Sequence, residues 1–367
     1  MTPRNRPPRR ARPGWLAPAA WVAVGLCMVQ LVLAAGPATP GGHAPAKPGA
    51  RAGSRELPGA GGGQDRPGGG HGPGSAEQGT ALDPALARRF AREPRLTVFD
   101  HATGTARTMG MEEYVAHVVA GEVVPTWRPD ALRAQAVAAR TYTVSLLLAG
   151  EAATPRRLYG TDTSTDPAEA QAYSPVVPPA VQAAVAATRG EILVYGGRPI
   201  VALFSACAAG RTAGLRESFP RDPRQAPYLR PVASACDRAA PGSIRRWAVA
   251  LTTAELAAAA GVPPAAVDRV EIARRGPSGR AVFLRIGPRQ VHAVDLRRQV
   301  GPNRLKSTWL TEIEALEGGV WIFRGRGWGH GVGLDQWGAE AMARAGRGYR
   351  EILAHYYPGT RLVELYR

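Results

Sequence analysis

Apolar residues set the first signal. In the stretch MEEYVAHVVAGEVVPTW, Tyr114, Val115, Val118 and Val119 fall on one helical stripe, and Glu122 continues it one turn beyond Val118. Gly121 and Pro125 predict where that helix ends. A longer helical pattern follows in RPDALRAQAVAARTYTVSLLLAG. Pro129 suits its first position and Asp130 suits the positive N-terminal end. The alanines between Ala131 and Ala139 allow another element to pack closely, and Arg140 shares a stripe with Val137 and Val144. Alternating segments predict hairpins. RLTVFDHATGTARTM turns at Thr103-Gly104, and GEILVYGGRPIVALFSACAAGRT turns at Gly196-Gly197 and ends in a polar loop from Ser205 to Thr212. Two further hairpins are predicted in VEIARRGPSGRAVFLRIG and LTEIEALEGGVWIFRGRG. Short helices are expected from about Pro178 to Thr188 and in VHAVDLRRQVG. Strand pairs and helices are interspersed without regular βαβ alternation, so the expected class is α+β with mixed hairpins and helices.

Hydropathy also divides the chain. Arginines crowd residues 1–14, and an uncharged apolar run spans 15–35. That run approaches the roughly 20 residues that cross a bilayer. The arginines before it place an N-terminal tail in the cytoplasm and the body outside the cell membrane, as a single-pass protein. A cleaved signal segment is the alternative, and the length of the run favours an anchor. Residues 36–83 are rich in Gly and Pro and carry too little apolar surface to fold, which makes them a disordered linker. The folded domain is then 84–367.

Charge changes this picture little. The 367 residues carry a formal net charge of +17, nearly all of it from arginine. The arginines are scattered and show no aromatic-interleaved basic signature, so no nucleic-acid partner is expected.

Candidate chemistry centres on three places. The first is Glu122, either a helix end in solvent or a carboxyl desolvated by its apolar face, whose pKa would then rise towards that of a general acid. Nearby, Gln135 could donate to a buried acceptor. An inward Arg140 needs either a structural carboxylate or a substrate group. The second place is GRGWGHGVG, where Gly325, Gly327, Gly329, Gly331 and Gly333 alternate with Arg326, Trp328, His330 and Val332. If extended, it would present one bare face against which a ligand could lie, with Trp328 and Trp337 supplying flat apolar area for a sugar ring. The third is Cys207 with Cys236. Export would permit a disulfide, which closing a loop of roughly 30 residues makes worth about 3–4 kcal/mol. A zinc site that adds His330, or free thiols, are the alternatives; the spacing of common zinc motifs is absent.

EEYVAHVVAGEVVPTWRPDALRAQAVAARTY, LKSTWL and GRGWGHGVGLDQWGAEAMA with YREILAHYYPGT together resemble the stage II sporulation protein D family, which is related to the amidase enhancers. QAYSP, FSACAAGRT and PYLRPV also fit, so the likeness spans about Arg95 to Val363. The resemblance implies a membrane-anchored lytic transglycosylase that cleaves peptidoglycan glycan strands lacking stem peptides. It implies work in engulfment during sporulation, beside a membrane partner and a cell-wall amidase or endopeptidase. The family's catalytic glutamate falls on Glu122. Gln135, Arg140, Ser205, Trp328, His330 and Gln336 are the candidates for holding substrate, and no cofactor is required. Some members hold zinc near this region, which keeps Cys207, Cys236 and His330 in view as ligands. Two departures stand out. Leu334-Asp335-Gln336 replaces the usual Met-Ser-Gln, and Ala208-Ala209 replaces a frequent Gly-Gly pair.

Overall fold

The stripes marked by the sequence become buried helix faces. In the computed structural model, which describes residues 81–367, these elements follow in chain order. The first part holds β1 (Arg95–Asp100), β2 (Thr105–Gly110), α1 (Met111–Glu122), α2 (Pro129–Ala149), β3 (Thr163–Ser164), α3 (Pro179–Ala186), β4 (Glu191–Tyr195), β5 (Arg198–Pro199) and β6 (Phe204–Ser205). The middle holds β7 (Trp247–Thr252), α4 (Thr253–Ala260), β8 (Val270–Arg275), β9 (Ala281–Ile286), β10 (Arg289–His292), α5 (Ala293–Val300), β11 (Leu310–Leu316) and β12 (Val320–Gly325). β13 (Leu334–Asp335), α6 (Gln336–Arg344), α7 (Tyr349–Tyr356) and β14 (Arg361–Glu364) complete it, with shorter helical turns between. The 15–35 run and nearly all of the linker lie outside the described residues. Among the described residues no helix is long and apolar enough to cross a membrane.

The mixed α+β class holds: small sheets of two or three strands surround helices. α2 is the axis of the larger part. Pro129 and Asp130 occupy its first turn, and its residues from Ala131 to Val144 are buried except for Arg133. The alanines let α1, α3, α6 and α7 all pack on it. β1 and β2 form the expected antiparallel hairpin, with Gly104 at φ +68° in its turn.

Two expectations are corrected here. Gly121 does not end α1 but lies within it, because a Cβ there would come 2.7 Å from the backbone nitrogen of Tyr173. Its role is close approach, not termination. The strand expected after Gly196-Gly197 stops at Pro199, which cannot donate to a ladder. The chain then leaves β4 and reappears as β6, paired in parallel with β13.

Apolar side chains gather into two cores. The larger is built from residues on both sides of a middle segment, and the smaller lies within that segment, around Leu251, Leu256, Leu284, Ile286, Leu310 and Phe323. The smaller core joins the sheet β10-β9-β8 to the sheet β11-β12-β7, with α4 and α5 alongside. β7 and β10 add a third strand to each of the two expected hairpins. β7 pairs with β12 so that Trp247 lies opposite Gly325. The glycine run begins at that point and carries the chain from the smaller core to β13 in the larger one.

Candidate functional site

Glu122 ends α1 on its apolar stripe and is 1% exposed. The bare Gly121 lets the 172–173 backbone settle on the helix end, so the Ala172 N–H reaches Glu122 Oε1 at 2.8 Å. From the other side Gln336 Nε2 donates to Oε2 at 3.2 Å. Among the described residues no cation pairs with the carboxyl. Desolvation outweighs these two hydrogen bonds and raises its pKa to about 7. The group is therefore held near the midpoint between acid and base at neutral pH.

Gln336 is the first residue of α6. It is aimed by Asp335, a buried N-cap whose Oδ1 accepts from Gly338 N–H at 3.0 Å. Asp335 Oδ2 accepts from Ala208 N–H at 2.7 Å and Ser234 Oγ at 2.6 Å. The carboxylate that replaces a family serine thus ties the Ala208 loop to the start of the helix. Burial raises its pKa to about 6.

The run from Gly325 to Gly333 is not the extended floor that alternation suggests. Gly327, Gly329, Gly331 and Gly333 all have φ between +73° and +97°. A Cβ would meet Cys207 O at 2.5 Å from Gly327, Ser205 Cβ at 2.8 Å from Gly329, Arg280 Nη2 at 2.2 Å from Gly331, and Leu203 O at 1.9 Å from Gly333. The glycine side is filled by the protein's own atoms, and the run is a tightly packed crossing. Main-chain bonds hold it to both cores, among them Gly329 N–H to Lys306 O and Trp328 N–H to Cys207 O, each 2.9 Å.

The remaining candidates divide around this frame. Ser205 Oγ accepts the Gly331 N–H at 3.0 Å, so it braces the run from inside. Trp328 and Trp337 are 3% and 7% exposed, and Trp337 packs on Trp127 at 4.6 Å between ring centroids. Neither offers an open face for a sugar. Gln135 is buried beside α6, and neither end of its amide finds a protein partner; the indole N–H groups of Trp127, Trp328 and Trp337 are in the same condition. His330 is half-buried. Its Nδ1 accepts from Val332 N–H at 3.1 Å, and burial with the charges of Arg297 and Arg280 holds the ring down to about 3, so it stays neutral. Arg140 belongs elsewhere. Its guanidinium is fully buried and gripped by Glu112 at 2.9 and 2.6 Å, with Glu191 O at 3.1 Å. That pairing leaves it out of reach of Glu122 and removes it from the substrate-holding set.

Cys207 and Cys236 are joined in a disulfide with Cα atoms 5.7 Å apart. Among the described residues only Asp237 joins the two sulfurs as a third ligand-bearing group within 4.8 Å, and Asp237 pairs with Arg326. His330 is not part of that group. The donor set does not suit zinc, and no chemistry is routed through a metal.

Sequence reasoning missed the Ala172 N–H, which sits 50 residues from Glu122 in a stretch noted only for its fit to the family. It also missed Arg280 and Arg297, whose burial no local pattern announced for Arg280. For Arg297, the Ala293–Leu296–Val300 face of its helix could have signalled an inward arginine.

A family model described as Stage II sporulation protein matches residues 100–195, and one described as a domain of unknown function matches 239–333. An uncharacterized protein of Brachyspira hyodysenteriae is 34% identical over 264 residues, covering 71% of this chain and 68% of that one. Stage II sporulation protein D of Bacillus amyloliquefaciens is 29% identical over 279 residues, covering 73% and 78%. The amidase enhancer of Bacillus subtilis is 28% identical over 297 residues, covering 67% of this chain but 40% of its own length. With Glu122 and the glycine run in place on this fold, the chain belongs to the family of stage II sporulation protein D and the amidase enhancers.

Proposed function

We propose that the protein is a lytic transglycosylase that cleaves peptidoglycan glycan strands lacking stem peptides. In this reading it is anchored outside the cytoplasmic membrane by the 15–35 run and acts in sporulation beside a cell-wall amidase or endopeptidase. The observation that carries the reading is the Glu122 carboxyl, buried, unpaired with any cation and raised to about 7.

Glycosidic cleavage needs a proton on the leaving oxygen as an oxocarbenium-like centre forms. Protonated Glu122 supplies it, and the bond from C1 to the leaving oxygen breaks. The C6 hydroxyl of the same muramic residue then attacks C1, and the Glu122 carboxylate takes the hydroxyl proton. Atoms and charge balance without water, and one carboxyl serves twice. A pKa near the working pH suits a group that must give and retake a proton. Oε2 is the oxygen assigned to this step, since it is held by a side chain, Gln336, while backbone holds Oε1.

The full chain should release 1,6-anhydro-ended products from peptide-free strands, and Glu122→Gln should slow release at least about a hundredfold. Activity should decline as pH rises through about 7, where the acid form is lost. Products ending in a reducing sugar would show hydrolysis instead. A second reading, a non-catalytic enhancer of a cell-wall amidase, draws on the similarity to the amidase enhancer and on how fully Glu122 is covered. It requires that Glu122→Gln leave stimulation of an amidase intact and that no glycan be cut.

A further inference from the structure

Two guanidinium groups lie buried under the glycine run, and among the described residues neither has a counter-ion in contact. Arg280 is 1% exposed, and its one hydrogen bond from the guanidinium runs from Nη2 to Ala208 O at 3.2 Å. Its Nε and Nη1 find no protein partner. Arg297 is 9% exposed; its Nε donates to Leu305 O at 3.0 Å and Lys306 O at 3.3 Å, and its Nη2 finds no protein partner. Both reach the glycines that flank His330: a Cβ on Gly331 would lie 2.2 Å from Arg280 Nη2, and the Lys306 carbonyl that accepts from Arg297 also accepts the Gly329 N–H, so the three groups form one cluster.

Two carboxylates face Arg280, and neither bonds it. Glu217 is taken by Gly214 N–H at 2.8 Å and by Ser278 through its N–H and Oγ at 3.0 and 2.8 Å. Asp335 is taken by the donors already described. Like charges this deep without direct pairing are strongly disfavoured, and burial lowers Arg280 to about 10 and Arg297 to about 9. Three donor nitrogens without a protein partner, on two cations, suit a planar anion with two acceptor oxygens. Among residues 327–333 His330 alone is not buried, which makes it the partly exposed member of the cluster.

We propose that Arg280 and Arg297 form a carboxylate-binding site behind His330, and that its ligand is the lactyl carboxylate of a muramic residue. The assignment of ligand rests on the glycan reading above. Removing a stem peptide turns an uncharged amide into this carboxylate, so the site selects strands that an amidase has already stripped. The selectivity comes from the smaller core, which supplies both arginines, while the larger core supplies Glu122.

The test uses the full chain carrying Glu122→Gln, so that strands are bound and not consumed. Binding is measured by calorimetry for peptide-free strands and for the same strands with each lactyl carboxylate converted to its methylamide. The free carboxylate form should bind at least about tenfold more tightly. Arg297→Gln should shrink that ratio towards one, and Arg297→Lys, which keeps the charge, should retain part of it. Circular dichroism of each variant checks the fold, and Arg280→Lys gives a second route if Arg297→Gln does not fold. Equal binding of both strand forms overturns the carboxylate site and leaves the glycan reading standing. An unchanged ratio in a folded Arg297→Gln overturns the assignment of these residues. Binding of neither form removes the glycan reading itself, and the ligand assigned here goes with it.

Discussion

Replacing Glu122 by Gln should make the protein more stable, and increasingly so as pH rises. The carboxyl moves from an ordinary 4.5 to about 7 on folding. Below pH 4.5 both folded and unfolded chains hold its proton, and folding is not affected. Between 4.5 and 7 only the folded chain holds it, so stability falls by about 1.4 kcal/mol per pH unit. Above 7 both are ionised and the loss levels off at about 3 kcal/mol. Glutamine cannot titrate, keeps an acceptor for the Ala172 N–H, and meets Gln336 through an amide that can turn. Asp335 titrates in both proteins and cancels. Urea unfolding of wild type and Glu122→Gln at pH 5 and pH 8 gives the comparison. The stability difference should move by about 2.5 kcal/mol in favour of the variant between those pH values. A difference constant to within about 0.5 kcal/mol would mean that the carboxyl is solvated in solution, and the acid role would lose its basis.

Other outcomes follow from the same contacts. Gly333→Ala should cost more than about 3 kcal/mol, since it adds a Cβ 1.9 Å from the Leu203 carbonyl at φ +74°. Gly104→Ala, at φ +68° with open space around it, should cost only about 1 kcal/mol. Denaturation curves for the pair separate packing from backbone strain, and equal losses would contradict the crowding at Gly333. Arg140→Met leaves Glu112 without its cation, held only by the Gly190 N–H and the Tyr366 hydroxyl, and should cost about 3–5 kcal/mol. A loss of substrate affinity at unchanged stability would instead return Arg140 to the sugar.

The sequence shows most where local rules suffice. Pro129, Asp130 and the following alanines mark α2, and the Thr103-Gly104 turn marks the first hairpin. The place of Glu122 on an apolar stripe was legible for the same reason. Its partners were not: Ala172 and Gln336 lie 50 and 214 residues away, and no local pattern encodes such pairing. β7 and β10 escaped because each becomes a strand by joining a ladder whose other members are distant or already paired. The glycine run misled for a different reason. Alternation of glycine with larger residues satisfies a strand, but it also satisfies a chain that turns left-handed at every second residue, and only the neighbours decide. Arg140 showed its inward direction but not its partner.

Trp247 and Gly325 stand side by side, so the smaller core enters and leaves the larger one through a single doorway. Such a module can be shortened, exchanged or lost in evolution with only a brief splice at its threshold, while the host remains closed. The doorway is also where the Trp247 indole props the Gly327 carbonyl at 2.8 Å. Excising the module would knock away the trestle beneath the crossing, so that the inserted piece could vary in its outer strands but not at its sill.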